Sequence, residues 1–166
     1  MRLDQVWLLV SPGNPLKSKS DMAPLAERLA WAAKIDPDRR IIATDLERAL
    51  GTTYTVDTLS ALRQRFPRAR FVFLMGADNL QQLPRWHRWR HLINAMPIAV
   101  LPRPGATRKA LAGQAARLMR HARLRREASI LLARSAAPRW SLLMIRENPL
   151  SASQIRAQRR HVPPAP

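Results

Sequence analysis

Short apolar runs alternate along this chain with stretches in which apolar residues recur every three or four positions. A run with few polar interruptions suits a strand covered on both faces, as parallel strands usually are. Such runs stand at Gln5 to Val10, Ile41 to Thr44, Phe71 to Met75, Pro97 to Leu101 and Trp140 to Ile145. Between them, Pro24 to Lys34 sets Leu25, Leu29 and Ala32 at helical spacing, with Ala23 and Pro24 near the helix start. Thr55 opens a second amphipathic helix. Val56, Leu59 and Leu62 line one face, Arg63 and Arg65 the other, and Phe66-Pro67 stops it. Ser11 to Lys17 reads as a turn-rich loop, Asp45 to Glu47 as an acidic turn, and the stretch after Asp78 as a loop rich in Trp and Arg. Thr107 to Arg134 is helical in part, and Leu150 to Arg156 opens a further helix. Strands alternating with helices predict an α/β fold: a Rossmann-like parallel sheet with helices on both faces. The expected organisation is a single domain over 1–156 and a basic, Pro-rich tail over 157–166 that frays.

Charge narrows the partners. The 166 residues carry 29 Lys and Arg against 11 Asp and Glu, a formal net charge of +18. Nucleic acid or a phosphorylated small molecule is therefore the first partner to consider. Many of the arginines fall on helix faces interleaved with alanine, where solvation alone accounts for them. The absence of cysteine excludes a disulfide framework and a thiolate metal site. The opening Met1 to Val10 is too short in apolar residues for a signal peptide and is interrupted by Asp4. No segment approaches the ~20 apolar residues of a membrane span, so a cytoplasmic chain is expected. His87 and His91 have the i, i+4 spacing of two ligands on a helix, yet no Glu lies between them and no third ligand is near, so no protein metal site is expected.

Several stretches carry candidate chemistry. Phe71 to Met75 stops at Gly76-Ala77-Asp78, and the carboxyl end of a strand is where open α/β sheets place ligands. Gly76 lets a ligand approach the backbone, and Asp78 offers a carboxylate to ribose hydroxyls; an ordinary strand cap is the plain alternative. Ser151, Ser153 and Arg156 put two hydroxyls and a guanidinium at one helix start. Unpaired N–H groups favour an anion there, and simple serine capping explains the same residues. Asn14 and Lys17 follow the first strand in a loop suited to a phosphate, without the spacing of a P-loop. A solvated loop is an equally good account. Thr52 to Thr58 holds more hydroxyls than one helix cap needs. Trp86 and Trp89 offer a stacking face to a planar heterocycle, or pack; for Trp89 packing is the preferred reading.

Together, and in order, these pieces resemble the bacterial nicotinate mononucleotide adenylyltransferases of the HIGH-motif nucleotidyltransferase superfamily. The matching elements are Ser11 to Lys17, Tyr54 to Leu59, Gly76 to Leu80 with Trp86, Arg103-Pro104-Gly105, and Leu150 to Arg156. The Tyr-Thr pair and the Gly-Ala-Asp with its Trp favour this family over relatives acting on pantetheine phosphate. The resemblance implies transfer of AMP from ATP to nicotinate mononucleotide, giving deamido-NAD and pyrophosphate with Mg²⁺. It implies that Thr55 and Trp86 hold and stack the nicotinate ring, with Tyr54 beside them. It puts Asn14, Lys17 and Arg103 near the mononucleotide phosphate, Gly76 and Asp78 at the nucleotide ribose, and Ser151, Ser153 and Arg156 on ATP phosphates.

One departure is large. The family opens with a strand, a Gly-Gly-x-Phe-Asn-Pro-x-His-x-Gly-His loop and a helix, and nothing like that loop occurs here. The family's histidine pair, which touches ATP phosphates, has no counterpart. A start codon set too far downstream is the favoured explanation, ahead of a degenerate non-catalytic paralogue or a segment supplied by another polypeptide. A basic nucleic-acid-binding module, motivated by Arg117 to Arg126, is the alternative of a different class; it lacks a recognisable reader motif. The 166-residue chain is accordingly expected to release little pyrophosphate from ATP and nicotinate mononucleotide. Robust release in a coupled phosphate assay overturns that expectation.

Overall fold

The computed structural model describes residues 3–13, 22–35 and 40–147. Five strands form: β1 (Val6–Leu9), β2 (Ile41–Thr44), β3 (Phe73–Gly76), β4 (Ile98–Leu101) and β5 (Trp140–Leu142). Every pairing is parallel, as the apolar runs predict, but the strands divide into two sheets, β1-β2 and β3-β4-β5. Trp7 of β1 links them. Its ring meets Phe66 and Phe71 edge-on, at 5.4 and 5.9 Å between centroids.

The helices are α1 (Leu25–Ala33), α2 (Leu46–Ala49), α3 (Thr55–Arg65), α4 (Ala77–Gln82), α5 (Trp89–Ala95), α6 (Thr107–Ala112) and α7 (Gln114–Leu118). Tight 3₁₀ turns add Leu83–Arg85, Arg120–Ala122 and Glu127–Arg134. Two expectations are corrected. Asp45 to Glu47 is no simple turn: Asp45 leads into α2. The Trp- and Arg-rich loop after Asp78 is mostly helical, as α4, a 3₁₀ turn ending at Pro84-Arg85, and α5. These helices have four to seven residues, too few for a periodic pattern to emerge, so packing rather than propensity holds them.

β4 lies at the centre of the larger sheet. Ile98, Ala99 and Val100 are essentially fully buried. Because successive strand residues point to opposite faces, both faces of β4 are covered. The core around it takes Leu80 and Leu83 from the α4 region, Leu92 and Ile93 from α5, Val56, Leu59 and Leu62 from α3, and Trp140 from β5. Trp140 is 1% exposed and donates its indole N–H to the Met119 carbonyl at 2.8 Å, which joins β5 to the end of α7. Within the described residues, no helix is long and apolar enough to cross a membrane.

Burial this complete sets a stability expectation. Leu83→Ala removes a side chain with no exposure and should lower unfolding stability by about 2–5 kcal/mol in urea titration. Leu131→Ala, at a residue 53% exposed, should stay within about 0.5 kcal/mol. Similar losses at the two positions contradict the assigned core.

Candidate active site

The register of the larger sheet brings the first group of candidate residues together. Gly76 pairs with Leu101, so β3 and β4 end side by side and the turns after them share one edge. After β3 the chain enters α4 at once, with Gly76 as its N-cap and Asp78 in the first turn. The Asp78 carboxylate folds back over Gly76. A Cβ at position 76 would overlap Asp78 Oδ1 and lie 3.3 Å from Arg103 Nε. Gly76 has an ordinary extended backbone, φ −74°, so it is the space, and not the backbone angle, that requires glycine.

Asp78 Oδ1 is buried and accepts no hydrogen bond from the described residues. The side chain as a whole is 48% exposed, so its open surface belongs to the other atoms of the group. Arg103 Nε stands 3.8 Å from Oδ1, an ion-pair distance too long for a hydrogen bond. A buried acceptor left in this state costs about 1–3 kcal/mol, a cost that a ligand hydroxyl donating to it removes.

Arg103 follows β4 in the Pro102-Arg-Pro-Gly105 turn. Gly105 takes φ +72°, the left-handed region that favours glycine. The N–H groups of Ala106 and Thr107 donate to the Arg103 carbonyl at 3.1 and 3.2 Å. The Arg103 N–H donates to Thr107 Oγ1 at 2.9 Å, and Glu147 Oε1 lies 2.9 Å from the same hydroxyl. The backbone of Arg103 is thus tied down, and its side chain, 47% exposed, lies over the carboxyl end of β3.

The second group surrounds the start of α3. Tyr54 is its N-cap and Thr55 its first residue. The surplus hydroxyls nearby have a structural use. Thr58 is fully buried, shares a 2.8 Å hydrogen bond with Thr52, and lies 3.2 Å from the Tyr54 carbonyl. Thr55 and Trp86 are half-buried. The Trp86 ring meets Phe73 edge-on at 6.5 Å. His87 stacks on Tyr54 with centroids 4.2 Å apart and planes 29° from parallel. Arg88 adopts φ +46° and pairs with Asp57 of α3 at 3.9 Å.

His87 therefore precedes α5, while His91 lies within it, and the i, i+4 pair does not share a helix face. Among the described residues no three His, Cys, Asp or Glu gather as a metal site. A hollow of about 370 Å³ between α3 and α5 is lined by Ser60, Arg63, Arg88, Arg90 and His91 among others. It contains none of Gly76, Asp78, Trp86 or Arg103.

Of the residues singled out in the sequence, Gly76, Asp78 and Arg103 meet directly, and the stack of His87 on Tyr54 joins the start of α3, where Thr55 follows, to the loop that Trp86 opens. Asn14, Lys17, Ser151, Ser153 and Arg156 lie outside the described residues. Trp89 packs against the core, as preferred. Sequence reasoning missed Arg28 and Arg88, and the contacts that Asp57 and His87 make. The Arg28 guanidinium donates to the carbonyls of Ser11 at 2.7 Å and Ala23 at 2.9 Å, fixing the stretch just before Asn14. An acid in a first helical turn was a visible signal for Asp57; nothing in the sequence announces a left-handed arginine.

A parallel α/β sheet with a glycine and an acid at the carboxyl end of a strand has the architecture of a nucleotide-binding domain. A sequence model of the cytidylyltransferase-like family matches residues 1–158. The chain is 53% identical over 156 residues to a probable nicotinate-nucleotide adenylyltransferase of Gluconobacter oxydans, covering 94% of this chain and 80% of that one. It is 53% identical over 154 residues to a protein of the same description from Parvibaculum lavamentivorans, covering 93% and 77%. The chain belongs to the cytidylyltransferase-like family, within its group of nicotinate-nucleotide adenylyltransferases. The solved Plasmodium falciparum nicotinic acid mononucleotide adenylyltransferase complexed with APC aligns with TM-score 0.49 and 18% identity, over 80% of this chain and 58% of that one.

The packing at Gly76 yields a double-mutant test. Gly76→Ala should destabilise the chain by about 1–3 kcal/mol through overpacking against the Asp78 carboxylate. In an Asp78→Ala background most of that loss should vanish, because the atom it meets is gone. Strictly additive losses in urea denaturation contradict the steric account.

Proposed function

We propose that the reaction this chain serves is that of its group: transfer of AMP from ATP to nicotinate mononucleotide, giving deamido-NAD and pyrophosphate. The observation that carries this reading is Asp78 Oδ1, a buried acceptor without a donor among the described residues, beside Gly76 at the carboxyl end of β3. A ribose hydroxyl that reaches it satisfies it, and the missing side chain at Gly76 gives the carboxylate its place.

In the reaction a phosphate oxygen of nicotinate mononucleotide attacks the α-phosphorus of ATP. A new phosphorus–oxygen bond forms, the bond to the β-phosphate bridging oxygen breaks, and pyrophosphate leaves with the electron pair. The substrate supplies its own nucleophile, so the protein's tasks are alignment and neutralisation of charge. Gly76 and Asp78 are assigned to the nucleotide ribose. Arg103, 3.8 Å from Asp78, is assigned to a mononucleotide phosphate next to it, together with Asn14 and Lys17. Tyr54, Thr55 and Trp86 are assigned to the nicotinate ring, and Ser151, Ser153 and Arg156 to ATP phosphates.

Mg²⁺ is proposed to enter with ATP. The described residues form no cluster of three potential ligands, and magnesium is commonly held by substrate phosphates with only one or two carboxylates. When bound, it neutralises charge on the triphosphate.

Calorimetric titration of the 166-residue chain tests this reading. Nicotinate mononucleotide and deamido-NAD should bind and raise the thermal unfolding midpoint. Asp78→Ala should weaken deamido-NAD about 10- to 100-fold, the range for a lost hydrogen bond to a charged group. A salt-dependent RNA gel shift that ignores competing mononucleotide, with no binding of either small ligand, favours a nucleic-acid module instead.

A further inference from the structure

Three successive residues, Trp86, His87 and Arg88, each reach a different neighbour. Trp86 meets Phe73 of β3, His87 stacks on Tyr54, and Arg88 pairs with Asp57 in the first turn of α3. Tyr54 and His87 are both exposed at their surface, so core burial does not account for their contact. At 4.2 Å and 29° they lie face to face, a defined arrangement for two exposed rings that have water as an alternative.

The backbone around them is costly. Arg88, a residue with a full side chain, sits in the left-handed region at φ 46° and ψ 38° and serves as the N-cap of α5. A non-glycine residue there stores about 1–3 kcal/mol. Its carbonyl accepts the N–H groups of His91 at 2.8 Å and Leu92 at 3.2 Å, so the strained turn and the start of α5 hold each other in place. Such strain persists where the surroundings over-determine it, and here the surroundings are the anchors on α3.

We propose that His87 is a positioning residue for the mononucleotide half of the site: its stack on Tyr54 latches the Trp86 loop to the first turn of α3 and sets the gap that receives the nicotinate ring. The proposal rests on the assignment of Trp86 and Thr55 to that ring. Trp86 and Thr55 come from separate elements, and each is only half-buried. Among the described residues, the exposed side-chain links at this edge include the Tyr54–His87 stack and the longer Asp57–Arg88 pair, whose partners are 43% and 53% exposed, while Trp86 also packs on the buried core that holds Val56 and Leu59 of α3. An exposed ion pair at that distance contributes little, so the stack is the stronger of the two.

The test compares His87→Ala, His87→Leu and His87→Phe in the full chain, with nicotinate mononucleotide as the probe in calorimetric titration. His87→Ala and His87→Leu should weaken binding about three- to tenfold, the range expected for one aromatic pair. His87→Phe should restore it. Unliganded thermal midpoints should stay within a few degrees of the parent, because His87 is exposed. Unchanged affinity in His87→Ala, or full rescue by leucine, overturns the latch. A loss of affinity that only tracks a fall in midpoint also overturns it. Failure of the parent chain itself to bind nicotinate mononucleotide is a different outcome: it removes the assignment of Trp86 and Thr55 to the ring, and the latch with it.

Discussion

The burial of β4 is the constraint on which the rest of the larger sheet depends. Ile98, Ala99 and Val100 point alternately to two faces, and neither face reaches water. Helical segments must therefore pack on both sides of a strand only four residues long. That demand recruits α3 and α5, and α4 with α6 and α7, including segments too short to be stable alone. It also fixes the site. With β4 buried on both faces, its register with β3 sets where Gly76 ends, and the turn after Leu101 delivers Arg103 to the same edge.

Strands were legible in the sequence because a buried strand excludes polar residues on both faces. Ile41 to Thr44 is the strand that the apolar run marks. At Phe71 the same rule overreached. Phe71 and Val72 continue the apolar run, but the ladder opens with the Phe73 N–H donating to Pro97, and Phe71 turns to Trp7 instead. Hydrophobicity reports burial, and burial against a ring looks the same as burial in a sheet. β5 shows the converse. Met144 and Ile145 read as strand and lie more than half exposed past its end.

The site divides in a similar way. Gly76 and Asp78 were legible because the end of an apolar run followed by glycine and an acid is a local signal. Arg103 came from resemblance, since only the β3–β4 register brings it near. The reason for Gly76 was not legible: a carboxylate two residues later takes the space of its Cβ. His87 was weighed by its spacing from His91, which assumed one continuous helix. The left-handed turn at Arg88 breaks that continuity and sends the ring to Tyr54. Long-range register and a single backbone angle are properties of the folded chain, and no short window contains them.

The two sheets have one further consequence, in the behaviour of the chain as a colloid. In β1 the N–H groups of Val6 and Val10 flank the β2 ladder, and in β3 that of Phe73 faces β4. By the alternation of parallel ladders, the backbone groups of Trp7, Leu9, Leu74 and Gly76 point the other way. Among the described residues β1 and β3 are edge strands, and an edge strand left uncovered is a template for pairing with another chain. What opposes that encounter is a formal charge of +18 on each molecule. Charge repulsion reaches only about one Debye length, ~10 Å at 0.1 M ionic strength and ~3 Å at 1 M. Where such an edge is uncovered, salt added to keep a basic protein off nucleic acid also weakens the repulsion between copies.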